Sequence, residues 1–134
     1  MIAVDTSVVV AAFASWHEAH SAAEAALARK PRVPAHVLLE SFSVLTRLPP
    51  PHRAPAELVL AFLAERFTKV PLALPARMHL RLVERSVAAG IGGGSIHDAL
   101  IAATALWAKA RLLTRDRRAV PTYERLKVDY EFIT

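Results

Sequence analysis

Three of the four aspartates in this chain fall where a strand runs out or a helix begins. Asp5 closes the short run Met1-Ile2-Ala3-Val4. Asp116 follows the apolar pair Leu112-Leu113 through Thr114 and Arg115. Asp98 stands in the first turn of an apolar helical stretch, Ala99 to Ala108. Glu40 joins them from the first turns of a helix predicted over Ala35 to Leu48. Open α/β sheets build their active sites at the carboxyl ends of the strands, so all four acids are expected on one edge. Singly, each has a structural use. Asp5 can N-cap the next helix, Ser95-Ile96-His97-Asp98 scans as a capping box with Ser95 at the N-cap, Asp116 can cap the short helix after it, and Glu40 can belong to a solvated stripe with His36, Ser43 and Arg47. Together they conflict. Two carboxylates about 4 Å apart repel by roughly 4 kcal/mol at an effective dielectric near 20, so four converging ones need a compensating cation. Mg²⁺ and Mn²⁺ are hard ions that prefer oxygen ligands. An all-carboxylate site in a basic protein points to metal-assisted hydrolysis of a phosphodiester.

The elements that must position these acids alternate between helix and short strand. Asp5-Thr6-Ser7 starts a helix continuing to Ala14. A second helix is expected over His17 to Lys30, ended by Pro31, and Arg32-Val33-Pro34 is at best a very short strand. Leu38, Phe42 and Leu45 give the 35–48 helix an apolar face, and Pro49-Pro50-Pro51 stops it. A fourth helix spans Ala54 to Arg66 with Pro55 near its first position, Lys69 to Leu72 is a candidate strand, and Pro75 opens a helix to about Ala89. All four glycines lie between Gly90 and Gly94. Gly90 reads as the residue just past a helix end, and Gly92-Gly93-Gly94 as a link into the central helix. The glycines are no phosphate loop, because they follow a helix and lack the Gly-Lys-Ser/Thr ending. Ala119 to Leu126 is a last short helix and Tyr130 to Ile133 a last strand. Strands separated by helices imply a parallel sheet with right-handed crossovers. The fold class is therefore α/β, a short-stranded parallel sheet flanked by helices, in one domain over residues 1–134.

A chain of 134 residues with 54% hydrophobic content can bury a core. Its net charge of +5 suits an anionic partner, RNA foremost. The absence of cysteine excludes disulfide and thiolate chemistry. Met1 to Ala14 lacks the basic start of a signal peptide and is interrupted by Asp5. No apolar run reaches the roughly 20 residues of a membrane span, so a cytoplasmic protein without membrane contact is expected. Arg115, Arg117 and Arg118 bracket Asp116 and are candidates to grip RNA phosphates, with a solvated surface as the alternative. His97 could assist a leaving group, although a histidine in a first helical turn is more often merely exposed. Phe13 and Trp16 are expected to pack in the core, with a partner groove as the alternative.

Asp5-Thr6-Ser7, Glu40 in a proline-initiated helix, Asp98-Ala99-Leu100-Ile101-Ala102-Ala103-Thr104-Ala105 and Leu113-Thr114-Arg115-Asp116 resemble the PIN-domain ribonucleases. More narrowly they are similar to the toxins of VapBC toxin–antitoxin pairs, over essentially the whole chain. The resemblance implies an endoribonuclease with Asp5, Glu40, Asp98 and Asp116 as the acidic quartet around Mg²⁺ or Mn²⁺, and Thr6 and Thr114 as supporting hydroxyls. It also implies products with 5′-phosphate and 3′-hydroxyl ends. The implied partners are a cognate antitoxin, which crosses an apolar groove and directs an Arg or Lys at the quartet, and a second copy in a homodimer. The competing expectation is a PIN-like RNA-binding or scaffolding module that no longer turns over substrate.

Overall fold

A computed structural model describes residues 1–134. Its sheet has three parallel strands in the order β1 (Ile2–Val4), β2 (Arg111–Thr114), β3 (Tyr130–Phe132). Ala3 pairs with Leu112, and Leu113 with Glu131. Two further segments extend the sheet beyond β1, each by a single bridge: Arg32 beside Ala3, and Leu72 beside Pro34. The strands expected at 32–34 and 69–72 are thus reduced to bridges. Pro31, Pro34 and Pro71 carry no N–H, and a ladder cannot propagate through them.

Seven helices surround the sheet: α1 (Thr6–Phe13), α2 (His20–Ala28), α3 (Ala35–Thr46), α4 (Ala56–Arg66), α5 (His79–Ala88), α6 (Ser95–Trp107) and α7 (Val120–Arg125). Several boundaries differ from expectation for local reasons. The second helix begins three residues late, because the His17 ring accepts from the Ala19 amide and holds a turn there. Pro75 opens a 3₁₀ turn, Ala76–Met78, before α5. Pro55 is the N-cap of α4 rather than its first helical residue.

Gly90 does end α5, at φ 73°. The Ile91 and Gly90 amides return to the carbonyls of Ser86 and Val87, the paired bonds of a Schellman motif. The same motif ends α6, with Lys109 at φ 57° in the left-handed position and Ala110 bonded to Ala105. That reversal feeds the chain directly into β2.

The core runs from Ala3 to Ile133 and contains the inward residues of β1 and β2, Val8, Val9, Leu45, Ile101 and Tyr123. As its composition requires, α6 is buried through Ala99 and along Ile101 to Ala105. Both α1 and α6 pack on β2. Their N-termini, at Thr6 and Ser95, bring Asp5 and Asp98 toward the carboxyl end of that strand.

Candidate metal centre at the strand carboxyl edge

Asp5 leaves β1 in extended conformation and caps α1, accepting from the Val8 amide at 3.3 Å. The same Oδ1 accepts from Ser7 Oγ at 2.5 Å, while Oδ2 accepts from the Tyr123 hydroxyl at 2.8 Å. Only 2% of Asp5 is exposed. Burial pushes its carboxyl above the usual range, opposed by the donors of Ser7, Thr114, Tyr123 and Val8. Capping and a place at the edge are therefore both realised by one side chain. Ser7 Oγ in turn accepts from the Arg115 amide at 2.8 Å, locking the exit of β2 to the start of α1.

Asp98 does not belong to a capping box. Gly94 is the N-cap of α6 and gives no side-chain bond, so Ser95 is already inside the helix and Asp98 lies one position deeper than the box requires. Its carboxyl is pushed up to about 6, first by burial, then by the charges of Asp116, Glu40 and Asp5, with His97 opposing. Those causes place Asp116, Glu40 and Asp5 all within electrostatic reach of Asp98.

Asp116 does not cap α7 either. The N-cap there is Ala119, and Asp116 instead closes a local turn by accepting from the Arg118 amide at 2.9 Å. Its own amide donates to Thr114 Oγ1 at 3.0 Å. Glu40 is half-buried rather than part of a solvated stripe. Thr6 Oγ1 donates to its Oε1, and His36 Nε2 lies 3.7 Å from its Oε2.

These residues wall a cleft of about 410 Å³ that includes Asp5, Thr6, Glu40, Asp98 and Asp116. Thr114 is fully buried behind it and acts through Asp116 and Asp5. The arginines divide. Arg118 is almost fully exposed at the cleft wall, with Nε 3.5 Å from Asp116. Arg115 touches the cleft, but its guanidinium is drawn to the Ile133 carbonyl at 2.8 Å and lies over Phe132. Arg117 turns away, 4.3 Å above the same ring.

Phe13 packs edge-on against Phe62, as expected of a core residue. Trp16 does not: it is 51% exposed and stacks on His52 at 4.0 Å. Its place in the loop before α2 leaves no core layer to cover it.

Sequence reasoning missed Tyr123, which holds Asp5 from 118 residues away. The available signal was its position: α7 follows Asp116 closely, so its inward face returns to the same edge. His17 and Glu18, also in the wall, were read only as the start of a helix.

A donor set of four carboxylates and a threonine hydroxyl, with one arginine at its margin, fits a hard divalent cation. The sequence profile of the PIN domain matches residues 2–125. Over its full 134 residues the chain is 51% identical to Ribonuclease VapC40 of Mycobacterium tuberculosis, all of which is covered. Among solved structures it superposes on the Mycobacterium tuberculosis VapC20, a Sarcin–Ricin loop cleaving toxin, with TM-score 0.71 and 22% identity. That match covers 91% of this chain and 95% of the other. It also superposes on VapBC2 from Rickettsia felis bound to a DNA fragment from their promoter, with TM-score 0.65, 18% identity and 98% of each chain covered.

Proposed function

The chain belongs to the PIN-domain family, beside the VapC ribonucleases, and on that premise we propose that Asp5, Glu40, Asp98 and Asp116 hold Mg²⁺ or Mn²⁺ for the hydrolysis of RNA. It is an endoribonuclease toxin of the VapBC type, restrained by a cognate antitoxin. One observation carries the site assignment: Asp116, Glu40 and Asp5 all push the Asp98 carboxyl up, and the only arginine or lysine paired with any of the four is the exposed Arg118.

A divalent cation bound there supplies positive charge for the phosphate and acidifies the attacking water. The chain's own groups prepare that event. Asp5 is fixed on three sides by Ser7, Val8 and Tyr123 and cannot swing away. Thr6 orients Glu40, and Thr114 orients the turn that presents Asp116. Arg118, extended at the cleft wall, meets a backbone phosphate of the incoming strand. Water adds to phosphorus as the bond to the 3′ oxygen breaks, and that oxygen leaves with a proton, giving 5′-phosphate and 3′-hydroxyl ends.

The surface supports protein partners as well. The packed pair α3 and α4 exposes Leu39, Phe42, Leu58 and Leu60, and α5 exposes Leu80, Val83 and Val87. Such apolar area suits an antitoxin and a second copy. The silent-module alternative is disfavoured by the complete quartet. Cleavage of RNA that appears with Mg²⁺ and vanishes with EDTA supports the nuclease reading. Tight RNA binding without cleavage under any divalent metal favours the silent module.

A further inference from the structure

His36, Glu40 and His97 gather beside the acidic cleft, and hydrolysis as derived above uses only the glutamate. His36 and Glu40 are four residues apart on α3 and so share a face. His97 comes from the first turn of α6. His36 Nε2 lies 3.1 Å from His97 Nδ1 and 3.7 Å from Glu40 Oε2. One donor atom from each residue falls within 4.8 Å of the other two.

The two imidazole planes are 7° apart with centroids separated by 5.1 Å. The rings form a nearly parallel stacked pair, and one nitrogen of each comes within 3.1 Å of the other. Ligand atoms each about 2.1 Å from one cation stand roughly 3–3.5 Å apart, and the His36–His97 and His36–Glu40 spacings of 3.1 and 3.7 Å straddle the upper end of that range. The glutamate is oriented independently. Thr6 occupies its Oε1 and leaves Oε2 on the side of His36, the kind of outer hydrogen bond that fixes metal ligands.

We propose that His36, Glu40 and His97 form a second cation site, suited to a transition metal such as Zn²⁺ or Co²⁺. Two imidazoles and one carboxylate differ in kind from the all-oxygen quartet, since nitrogen donors favour Zn²⁺ and Co²⁺ while Mg²⁺ keeps to oxygen. Three protein ligands leave further positions open to water. Glu40 is common to both centres, so a transition metal on the histidines draws its charge out of the quartet and weakens Mg²⁺ there. The site stands on its own geometry; the competition rests on the nuclease reading.

The test titrates the metal-free, full-length chain with Co²⁺ and follows visible absorption, in the native sequence and in His36→Gln, His97→Ala and Asp98→Asn. The native chain and Asp98→Asn should both show a saturable cobalt band that Zn²⁺ abolishes. Each histidine variant should lose affinity by more than the roughly 10–100-fold that loss of an outer-shell partner costs, with its thermal melt unchanged. Equal titrations in the native and histidine variants, or no saturable band in the native chain, would overturn the site. RNA cleavage under Mg²⁺ on the same proteins separates this from the nuclease reading. His97→Ala should keep cleavage and lose its inhibition by Zn²⁺, whereas Asp98→Asn should lose cleavage itself. Inhibition by Zn²⁺ that persists in His97→Ala would overturn the competition.

Discussion

Two clefts of similar volume, about 410 Å³ each, handle charge in opposite ways. One is the acidic edge. The other is walled by Lys30, Arg32, Arg66 and Lys69, beside the turns that lead into the two bridge-paired segments. In the basic cleft the arginines are already engaged. Arg66 Nη2 reaches both carboxylate oxygens of Glu24 at 3.1 Å, and Arg32 donates to the Val70 carbonyl at 2.6 Å. In the acidic cleft Asp5, Glu40, Asp98 and Asp116 are gathered, with Glu18 also in the wall, and the partners of the quartet are mostly neutral: hydroxyls and backbone amides. Charge that is paired locally serves the fold. Like charge held together against its own repulsion is what a cation site requires, and here hydroxyl and amide donors with one exposed arginine offset it only in part.

The largest expected effect breaks the symmetry between the clefts. Asp116→Ala should lower RNA cleavage by roughly 10²–10³-fold or more, the scale on which loss of a transition-state charge partner acts. Lys69→Ala, in the basic cleft, should leave it unchanged. Comparable losses in both would erase the distinction.

Next in size is Tyr123→Phe, which strips a buried carboxylate of one donor. It should destabilise the metal-free protein by about 1–3 kcal/mol in urea unfolding and weaken Mg²⁺ binding. A fully stable variant would mean that Asp5 finds another donor.

The third effect is a pH trend. The raised Asp98 carboxyl binds its proton more tightly folded than unfolded, so its contribution to stability is full below about pH 4 and is lost as the pH rises through about 6. Asp5, also raised, acts in the same sense. Metal-free melts should therefore weaken over that window, and saturating Mg²⁺ should reverse the trend. A flat profile without metal would separate Asp98 from its acidic neighbours.

The smallest effect sharpens the other side of the comparison. The Arg66–Glu24 pair is about one-third exposed on each partner, so Arg66→Ala should cost only about 0.2–1 kcal/mol and leave Mg²⁺ affinity untouched.

Much of the edge was legible because reversals of the chain announce themselves. Asp5 and Asp116 follow short apolar strands, and an apolar helix such as the one opened at Asp98 has to lie on a sheet. The exact start of α6 was not legible. Ser95 is a better N-cap residue than Gly94 by propensity, yet the chain enters the helix one residue earlier, so the predicted box dissolves and Asp98 is free to face the cleft. Contacts such as Tyr123 with Asp5 and His36 with His97 join residues 118 and 61 positions apart. Periodicity reports which face of an element is buried, not which distant residue meets it.

The central claim is that the four carboxylates are held together for a cation, and thermal melts of the native chain and Asp98→Asn, each in EDTA and in Mg²⁺, test it most directly. Removing one charge relieves repulsion, so Asp98→Asn should melt higher than the native chain in EDTA. Mg²⁺ should raise the native melting temperature by mass action and raise that of Asp98→Asn much less. Equal Mg²⁺-induced shifts in the two proteins, with Asp98→Asn no more stable in EDTA, would contradict it.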